Sequence, residues 1–274
     1  MSISILIPCR NEERNIGNTT NHLQKNLKKI KYEIILINDF SSDKTLNTIK
    51  KISEKSRKIK CLDNKRPGLG SVVSIGIKKA KYDYVCIYMA DRSDDYRDLI
   101  KYYKNIKSSK VDAIFGSRFL KNSNVKDYPF KKLILNRLAN YFIKIIFMSD
   151  YNDFTNAFKI YKKNTLRKLY PIVSESFNVF LELPLKIITR KYTYKIVPIN
   201  WTNRKKGVSK FKIKELRSKY LFTLFYCFLE KVLINKWLDY LIILYKLFIW
   251  LCTLKKSSSI KFTEYPSKIL IKFL

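Results

Sequence analysis

The sequence predicts an α/β fold in which a mixed, mostly parallel sheet is flanked by helices. Three observations carry this. Short continuous apolar runs recur along the first half, as strands buried on both faces require. Polar stretches with helical spacing separate them. Polar clusters follow directly after the runs, where an open α/β sheet binds ligands beyond the carboxyl ends of its strands.

Residues 3–7 form the first expected strand, an Ile-rich run stopped by Pro8. They follow Met1-Ser2 with no basic segment and no small-residue cleavage site, so no secretory signal is expected. Residues 15–29 place Ile16, Leu23 and Leu27 on one helical face. Residues 32–37 are a second strand, ending in Asn38-Asp39-Phe40-Ser41-Ser42-Asp43. Residues 44–58 are read as helix and 60–62 as a short strand. Gly68-Leu69-Gly70 opens a helix that runs to Lys79, and residues 84–89 are a strand running into Asp91. A helix over 98–107 and a strand over 113–116 follow. The second half reads as an apolar helix (133–147), a mixed loop and strand (153–161), a helix (177–189) and a strand (194–198). Basic loop residues come next, Arg204-Lys205-Lys206-Gly207 and Ser209-Lys210. The composition then shifts. Residues 220–229 carry no charge, and residues 238–254 carry only Asp239 and Lys246. Each run is shorter than the roughly 20 residues that span a bilayer.

The chain has 274 residues, with 56 Lys+Arg against 22 Asp+Glu, a net charge of +34. That charge has two readings: an anionic partner such as nucleic acid, a membrane surface or a phosphorylated substrate, or general lysine enrichment on solvated faces. His22 is the single histidine, which excludes His₂ and His₃ zinc sites. The five cysteines are scattered and never form a C-x-x-C pair, against a zinc ribbon or disulfide framework and for a reducing compartment.

Asp91 at a strand end, with Asp94 and Asp95 behind it, has the oxygen chemistry that Mg²⁺ or Mn²⁺ takes up together with phosphates. Asp94 and Asp95 equally suit a helix cap. Asp39 is similarly placed, while Asp43 suits a helix start. Gly68 and Gly70 permit close backbone approach, for a turn or for a phosphate. Arg118 and the Arg204/Lys210 pair are loop cations suited to a diphosphate. Glu182 sits in an apolar helix, so it is either a structural partner for an arginine or turned toward substrate.

Taken in order, these segments resemble family-2 glycosyltransferases, and within them the dolichol-phosphate mannosyltransferase-like, polyprenyl-phosphate branch. Residues 4–13, with Pro8-Cys9-Arg10-Asn11-Glu12, look like that family's opening strand and P-x-x-N-E loop. Residues 34–45 look like its V-D-D-x-S-x-D-x-T segment. Gly68-Leu69-Gly70-Ser71 matches G-L-G-[ST], and Tyr88-Met89-Ala90-Asp91 sits where D-x-D belongs. Gly116-Ser117-Arg118 matches G-S-R, and Asn136-Arg137-Leu138-Ala139-Asn140 matches the R-x-x-N helix. Residues 153–159 resemble D-x-T-[SN]-x-F-[RK], Glu182-Leu183 the E-L helix, and residues 198–210 the P-x-x-[FW]-x-x-R-x-x-G-x-S-K segment. The likeness covers residues 3–215.

The resemblance implies a GT-A (nucleotide-diphospho-sugar transferase, Rossmann-like) fold over 1–215, a membrane-interface helical hairpin over 216–256 and a basic tail over 257–274. It implies transfer of a hexose, with inversion, from a GDP- or UDP-sugar to polyprenyl phosphate. Pro8, Arg10, Glu12, Ile37 and Asp39 would line the nucleotide pocket, with Met89, Ala90 and Ser93 beside the diphosphate. Asp91 and Asp94 would hold Mg²⁺ or Mn²⁺. Arg118, Arg137, Arg204 and Lys210 would hold the phosphates of donor and acceptor, with Asp91, Arg118 and Arg204 central to catalysis. An anionic acceptor phosphate needs no general base, which suits a chain with one histidine. The enzyme would sit at the cytoplasmic face of a membrane, peripheral or monotopic, drawn there by anionic lipid. Three positions depart from the family pattern: Met89 for the first Asp of D-x-D, Ser93 for Gln, and Asn38 for Asp. Competing readings are a saccharide acceptor, which would need a carboxylate base, a catalytically inactive relative, and a nucleic-acid-binding protein. No nucleic-acid motif supports the last.

Overall fold

The computed structural model describes residues 2–203 and 213–234, without the side chains of 213–217. The chain divides into two units, Met1–Lys231 and Val232–Leu274, and the described part of the second is the end of the last helix, 232–234. The expected run at 238–254, the tail at 257–274, Arg204 and Lys210 lie outside the described residues.

In chain order the elements are β1 (Ser2–Cys9), α1 (Glu13–Asn26), β2 (Lys31–Asn38), α2 (Thr45–Glu54), β3 (Ile59–Asp63), α3 (Leu69–Lys79), β4 (Tyr84–Ile87) and α4 (Tyr96–Ser109). Then come β5 (Ala113–Ser117), β6 (Asn124–Lys126), α5 (Phe130–Phe147), β7 (Lys159–Lys162), α6 (Lys163–Lys168), α7 (Val179–Thr189), β8 (Tyr194–Pro198), β9 (Asn200–Thr202) and α8 (Ile213–Ile234).

Seven strands form one sheet in the order β3-β2-β1-β4-β7-β5-β8. β1 pairs in parallel with β2 and β4, and β5 with β8. β7 runs antiparallel between β4 and β5, with Cys86 opposite Ile160 and Ile114 opposite Ile160 on its other edge. The expected sheet is therefore present, its one reversed strand drawn from the segment read as mixed loop and strand. A second, two-stranded parallel sheet joins β6 to β9. These three-residue strands and the short α6 escaped the sequence reading, because so few residues carry no periodicity.

The continuous apolar runs are explained by cover on both faces. Ile3, Ile5 and Ile7 of β1 face one core with Ile34 and Leu36 of β2, under α1, α2 and α4. Leu6, Ile35 and Ile37 face the other, under α3, α5 and α7. Thr223 and Cys227 of α8 are fully buried, so the uncharged run at 220–229 is half core. Its other half, Leu221, Phe222, Phe225 and Leu229, is exposed.

Candidate active site

β2, β1 and β4 end side by side, and each is followed by a non-glycine residue in the left-handed region: Phe40 (φ 51), Asn11 (φ 53) and Arg92 (φ 59). Each such residue costs roughly 1 kcal/mol or more, and strain of this kind concentrates at functional sites. The first two loops are laced together. Asn11 donates through its backbone to Ser41 Oγ (3.0 Å) and through Nδ2 to Ser42 Oγ (3.1 Å), and its Oδ1 accepts from the Ser42 amide (2.8 Å). The Glu12 amide donates to Thr45 Oγ1 (2.8 Å), and Glu12 Oε2 accepts from Asn15 Nδ2 (2.7 Å). Asp43 Oδ1 accepts from the Thr45 amide (3.0 Å), the helix-start role expected of it.

Asp39 is 5% exposed at this end. Its Oδ1 accepts from the Gly68 amide (2.8 Å) and Asn64 Nδ2 (3.1 Å), and its Oδ2 lies 3.9 Å from Arg10 Nη1. Arg10 is half exposed, so Asp39 and Arg10 form one open-edged cluster. Pro8 and Ile37 are buried register partners within the sheet, and Ile37 packs in the core. Asn38 Nδ2 donates to Asp63 Oδ1 (2.8 Å), tying the β2 end to β3.

After β4 the strand stops two residues earlier than expected, and residues 88–95 form a loop. Ala90 is buried, and its carbonyl accepts from Thr19 Oγ1 (2.6 Å). Met89 is partly buried against the core and offers no hard oxygen ligand. Asp91 Oδ1 accepts from the Ser93 amide (3.0 Å). Asp94 is 4% exposed, and its Oδ2 has no hydrogen-bond partner among the described residues. Burial, and then the charge of Asp91, push the Asp94 carboxyl up to about 8. Asp95 caps α4, accepting from the Arg97 amide (2.8 Å), as a helix start allows. Among the described residues no three His, Cys, Asp or Glu side chains gather as a metal cage. Asp91 with the orphaned Asp94 oxygen fits the sparser requirement of a cation that takes one or two carboxylates and completes its shell with phosphates.

Arg118, just beyond β5, is almost fully buried. Its Nε and Nη2 donate to Asp153 (2.9 and 2.7 Å), which is wholly buried. The guanidinium carbon lies 5.4, 5.6 and 5.5 Å from the ring centres of Phe119, Tyr128 and Trp201. Burial disfavours its charge, but Asp153 outweighs burial and raises its pKa. Nη1 has no hydrogen-bond partner among the described residues, so one nitrogen of the fork stays available. Arg137 stacks over the same Phe119 ring at 5.3 Å, which brings the two arginines together. Sequence reasoning gave no role to Asp153, Tyr128 or Trp201. Asp153 and Trp201 lie within the motif segments 153–159 and 198–210, whereas nothing in its residue type singles out Tyr128.

Arg118 lines a cavity of about 430 Å³ together with Lys132, Asn136 and Thr155. Leu135 and Ala139 of α5, Phe177 and Phe180 at the α7 end, and Tyr220 and Leu221 of α8 supply apolar walls. Besides Leu135 and Lys132, which line the cavity, α5 exposes Phe130, Ile134, Leu138, Tyr141, Phe142 and Ile145, an apolar stripe interspersed with Lys131, Arg137 and Lys144. No described helix is long and apolar enough to cross a membrane.

Glu182, left open between two roles, is fully buried and paired to Lys186 Nζ at 2.7 Å. The partner is a lysine one turn on, and the carboxylate does not face solvent. The glycine turn is likewise a packing device: a Cβ at Gly68 or Gly70 would overlap the carbonyl oxygens of Glu175 or Ser174.

Residues 4–170 match the family described as Glycosyl transferase family 2. The chain is similar to the dolichol-phosphate mannosyltransferase of Pyrococcus furiosus, 28% identical over 221 residues, 79% of this chain and 61% of that protein. It therefore spans only about three fifths of that relative's length. It is also similar to the polyprenol monophosphomannose synthase of Mycolicibacterium smegmatis, 23% identical over 220 residues, 78% of this chain and 82% of that one. In fold it resembles the glucosyl-3-phosphoglycerate synthase of Mycobacterium tuberculosis, solved with Mn²⁺, uridine diphosphate and glucosyl-3-phosphoglycerate. That likeness has a TM-score of 0.63 at 14% identity, over 82% of this chain and 79% of that one.

Proposed function

The chain belongs to glycosyl transferase family 2, and from that premise we propose that it moves a hexose, mannose or glucose, from a GDP- or UDP-sugar to polyprenyl phosphate with inversion. The observation that carries this reading is a cavity lined by Arg118 and Lys132 and otherwise mostly by apolar side chains. That is the shape of chemistry an isoprenoid phosphate presents. The names of the two relatives support the same acceptor class.

Each residue then has a task. Asp39 and Arg10, with Glu12, Pro8 and Ile37 bordering them, receive the nucleotide. Met89, Ala90 and Ser93 form the loop beside the diphosphate. Asp91, with Asp94 behind it, would hold Mg²⁺ or Mn²⁺. When bound, that cation supplies positive charge to the departing nucleoside diphosphate. Arg118 offers Nη1 to the acceptor phosphate, while Asp153 and the three rings hold its plane. Arg137 lies beside it, and Arg204 and Lys210 share the phosphate-binding task. The nucleophile is a phosphate oxygen already ionised near pH 7, so one direct displacement inverts the anomeric carbon without a protein base.

A sugar hydroxyl as acceptor would need a carboxylate base, and two buried carboxylates are already committed elsewhere. Glu182 is enclosed with Lys186, and Asp153 is committed to Arg118, so neither carboxylate reaches a substrate. The exposed stripe on α5 supports attachment to an anionic membrane surface, where the acceptor resides. The same reading puts the enzyme on the cytoplasmic face, peripheral or monotopic, with residues 216–256 sharing the attachment.

The test is direct. Purified protein, Mn²⁺ and radiolabelled GDP-mannose, UDP-glucose or their counterparts are incubated with a short polyprenyl phosphate, and the organic phase is counted. Label in the lipid, lost in Asp91→Ala, is the expected result. Absence of transfer to lipid from every donor, with transfer to a saccharide instead, would overturn it.

A further inference from the structure

We infer that Glu182 is a positioning residue for the donor nucleotide, acting through residues 173–175 and the Gly68 amide on Asp39. The inference rests on Asp39 lining the nucleotide site as proposed above.

Glu182 accepts from the Val173 amide through Oε1 (2.9 Å) and from the Ser174 amide through Oε2 (2.7 Å). Lys186 donates onward to the carbonyls of Leu169 (3.2 Å) and Pro171. The buried pair thus fastens both edges of residues 169–174, a stretch that from 170 onward has no regular secondary structure to hold it. Taking two charges out of water is costly, so the pair by itself is weak evidence of a stabilising role.

The fastened stretch lies directly on the glycine turn. The Gly70 amide donates to the Glu175 carbonyl (3.1 Å), and Gly68, at φ 118, admits that carbonyl where any side chain would exclude it. The Gly68 amide then donates to Asp39 Oδ1 at 2.8 Å. Asn64 fixes the same oxygen, so the carboxylate is oriented with Oδ2 toward Arg10. Glu182 itself meets no substrate. What it controls is where the Gly68 amide stands, and so how Asp39 is aimed. On the far side, Ser174 Oγ lies 3.2 Å from Thr223 Oγ1 of α8, which also accepts from Asn178 Nδ2 (2.8 Å). The stretch is therefore braced from α7 and α8 together.

Glu182→Gln keeps the side-chain volume but removes the charge and sets an amide donor against a backbone donor. UDP and GDP binding are measured by calorimetry with Mn²⁺, and donor KM, acceptor KM and kcat by the transfer assay. The nucleotide Kd and donor KM should rise about tenfold, the scale on which a displaced supporting group weakens a site. Acceptor KM should hold, and kcat at saturating donor should stay within about twofold. A spectroscopic readout accompanies this. The chain has only 6 glycines, so ¹⁵N-glycine labelling resolves the Gly68 amide. Its resonance should move in Glu182→Gln while that of Gly17 does not. If Glu182→Gln does not fold, Thr223→Val loosens the same stretch from α8 and should shift both readouts in the same direction by less. A folded variant with wild-type nucleotide affinity and an unmoved Gly68 resonance overturns the inference. Wild-type protein that binds neither UDP nor GDP would instead overturn the proposed function, and the inference with it.

Discussion

Met89 is the residue at which this chain departs most sharply from the metal motif it otherwise resembles. A thioether has little affinity for Mg²⁺ or Mn²⁺, so on the proposed function Asp91 would bear the binding with the diphosphate and Asp94. Met89→Asp should therefore tighten Mn²⁺ about tenfold when the metal is titrated into protein and nucleotide, the scale of a gained or lost ligand-shell group. An unchanged Mn²⁺ midpoint would mean that position 89 does not reach the cation. A second residue yields a pH test. Lys159 is wholly buried, donating to the carbonyls of Phe154 (3.1 Å) and Asn156, and burial depresses its pKa from 10.5 to about 7. Between about pH 7 and 10.5 the unfolded chain binds a proton here that the native chain does not, so this group's contribution to stability rises with pH in that window. Below pH 7 both states hold the proton and the contribution is flat. Lys159→Met removes that dependence. The stability of wild type minus that of Lys159→Met, from urea unfolding, should be constant at pH 5.5–6.5 and grow toward pH 9.5. A difference that is flat or falls with pH above 7 would contradict a depressed Lys159.

At the scale of elements, the strands were legible because burial on both faces leaves uninterrupted apolar runs, and the helices because Ile16, Leu23 and their like recur on one face. What could not be read is where the motif glycines find their reason. Gly116 precedes Arg118, yet its lack of a side chain serves Tyr102: a Cβ there would overlap the Tyr102 hydroxyl and stand 2.8 Å from Ile199 Cγ2. Tyr102 in turn donates to the Phe158 carbonyl (3.0 Å), joining α4 to the loop before β7. Gly116→Ala should destabilise the domain by about 1–3 kcal/mol, the range for overfilling a packed core, as read by the denaturant midpoint. A midpoint within error of wild type would mean that Tyr102 has room to retreat. The site follows the same division. Asp39, Asp91 and Arg118 were visible as polar residues after apolar runs. The Asp153 bond and the aromatic cage around Arg118 were not, because they join residues 118, 128, 153 and 201, which only the folded topology brings together. Glu182 was visible as an anomaly, and the fold resolved it as a buried pair.

For the whole molecule, the net charge of +34 says less than where apolar surface accompanies it. Monomeric proteins rarely leave a contiguous stripe such as that of α5 in water. Leu138 is 63% and Phe142 58% exposed, and Lys131, Lys132, Arg137 and Lys144 lie on the same helix. An apolar face among basic residues is what an interfacial helix requires, with each base near an anionic surface adding about 1 kcal/mol. Attachment through this face would be salt-sensitive. Co-sedimentation with vesicles containing anionic lipid should pellet the wild-type protein at low salt and release part of it at high salt. Leu138→Asp with Phe142→Asp removes two half-exposed anchors, worth together about 3 kcal/mol of burial, and should lower partitioning about a hundredfold. Because neither side chain is in the core, the variant should keep its unfolding midpoint and its nucleotide affinity. Its activity should fall toward acceptor embedded in vesicles but not toward a short, detergent-dispersed polyprenyl phosphate. Equal partitioning of the variant and the wild type would remove α5 from the attachment surface. Equal loss of activity toward both acceptor forms would show that α5 shapes the acceptor cavity rather than the approach to it.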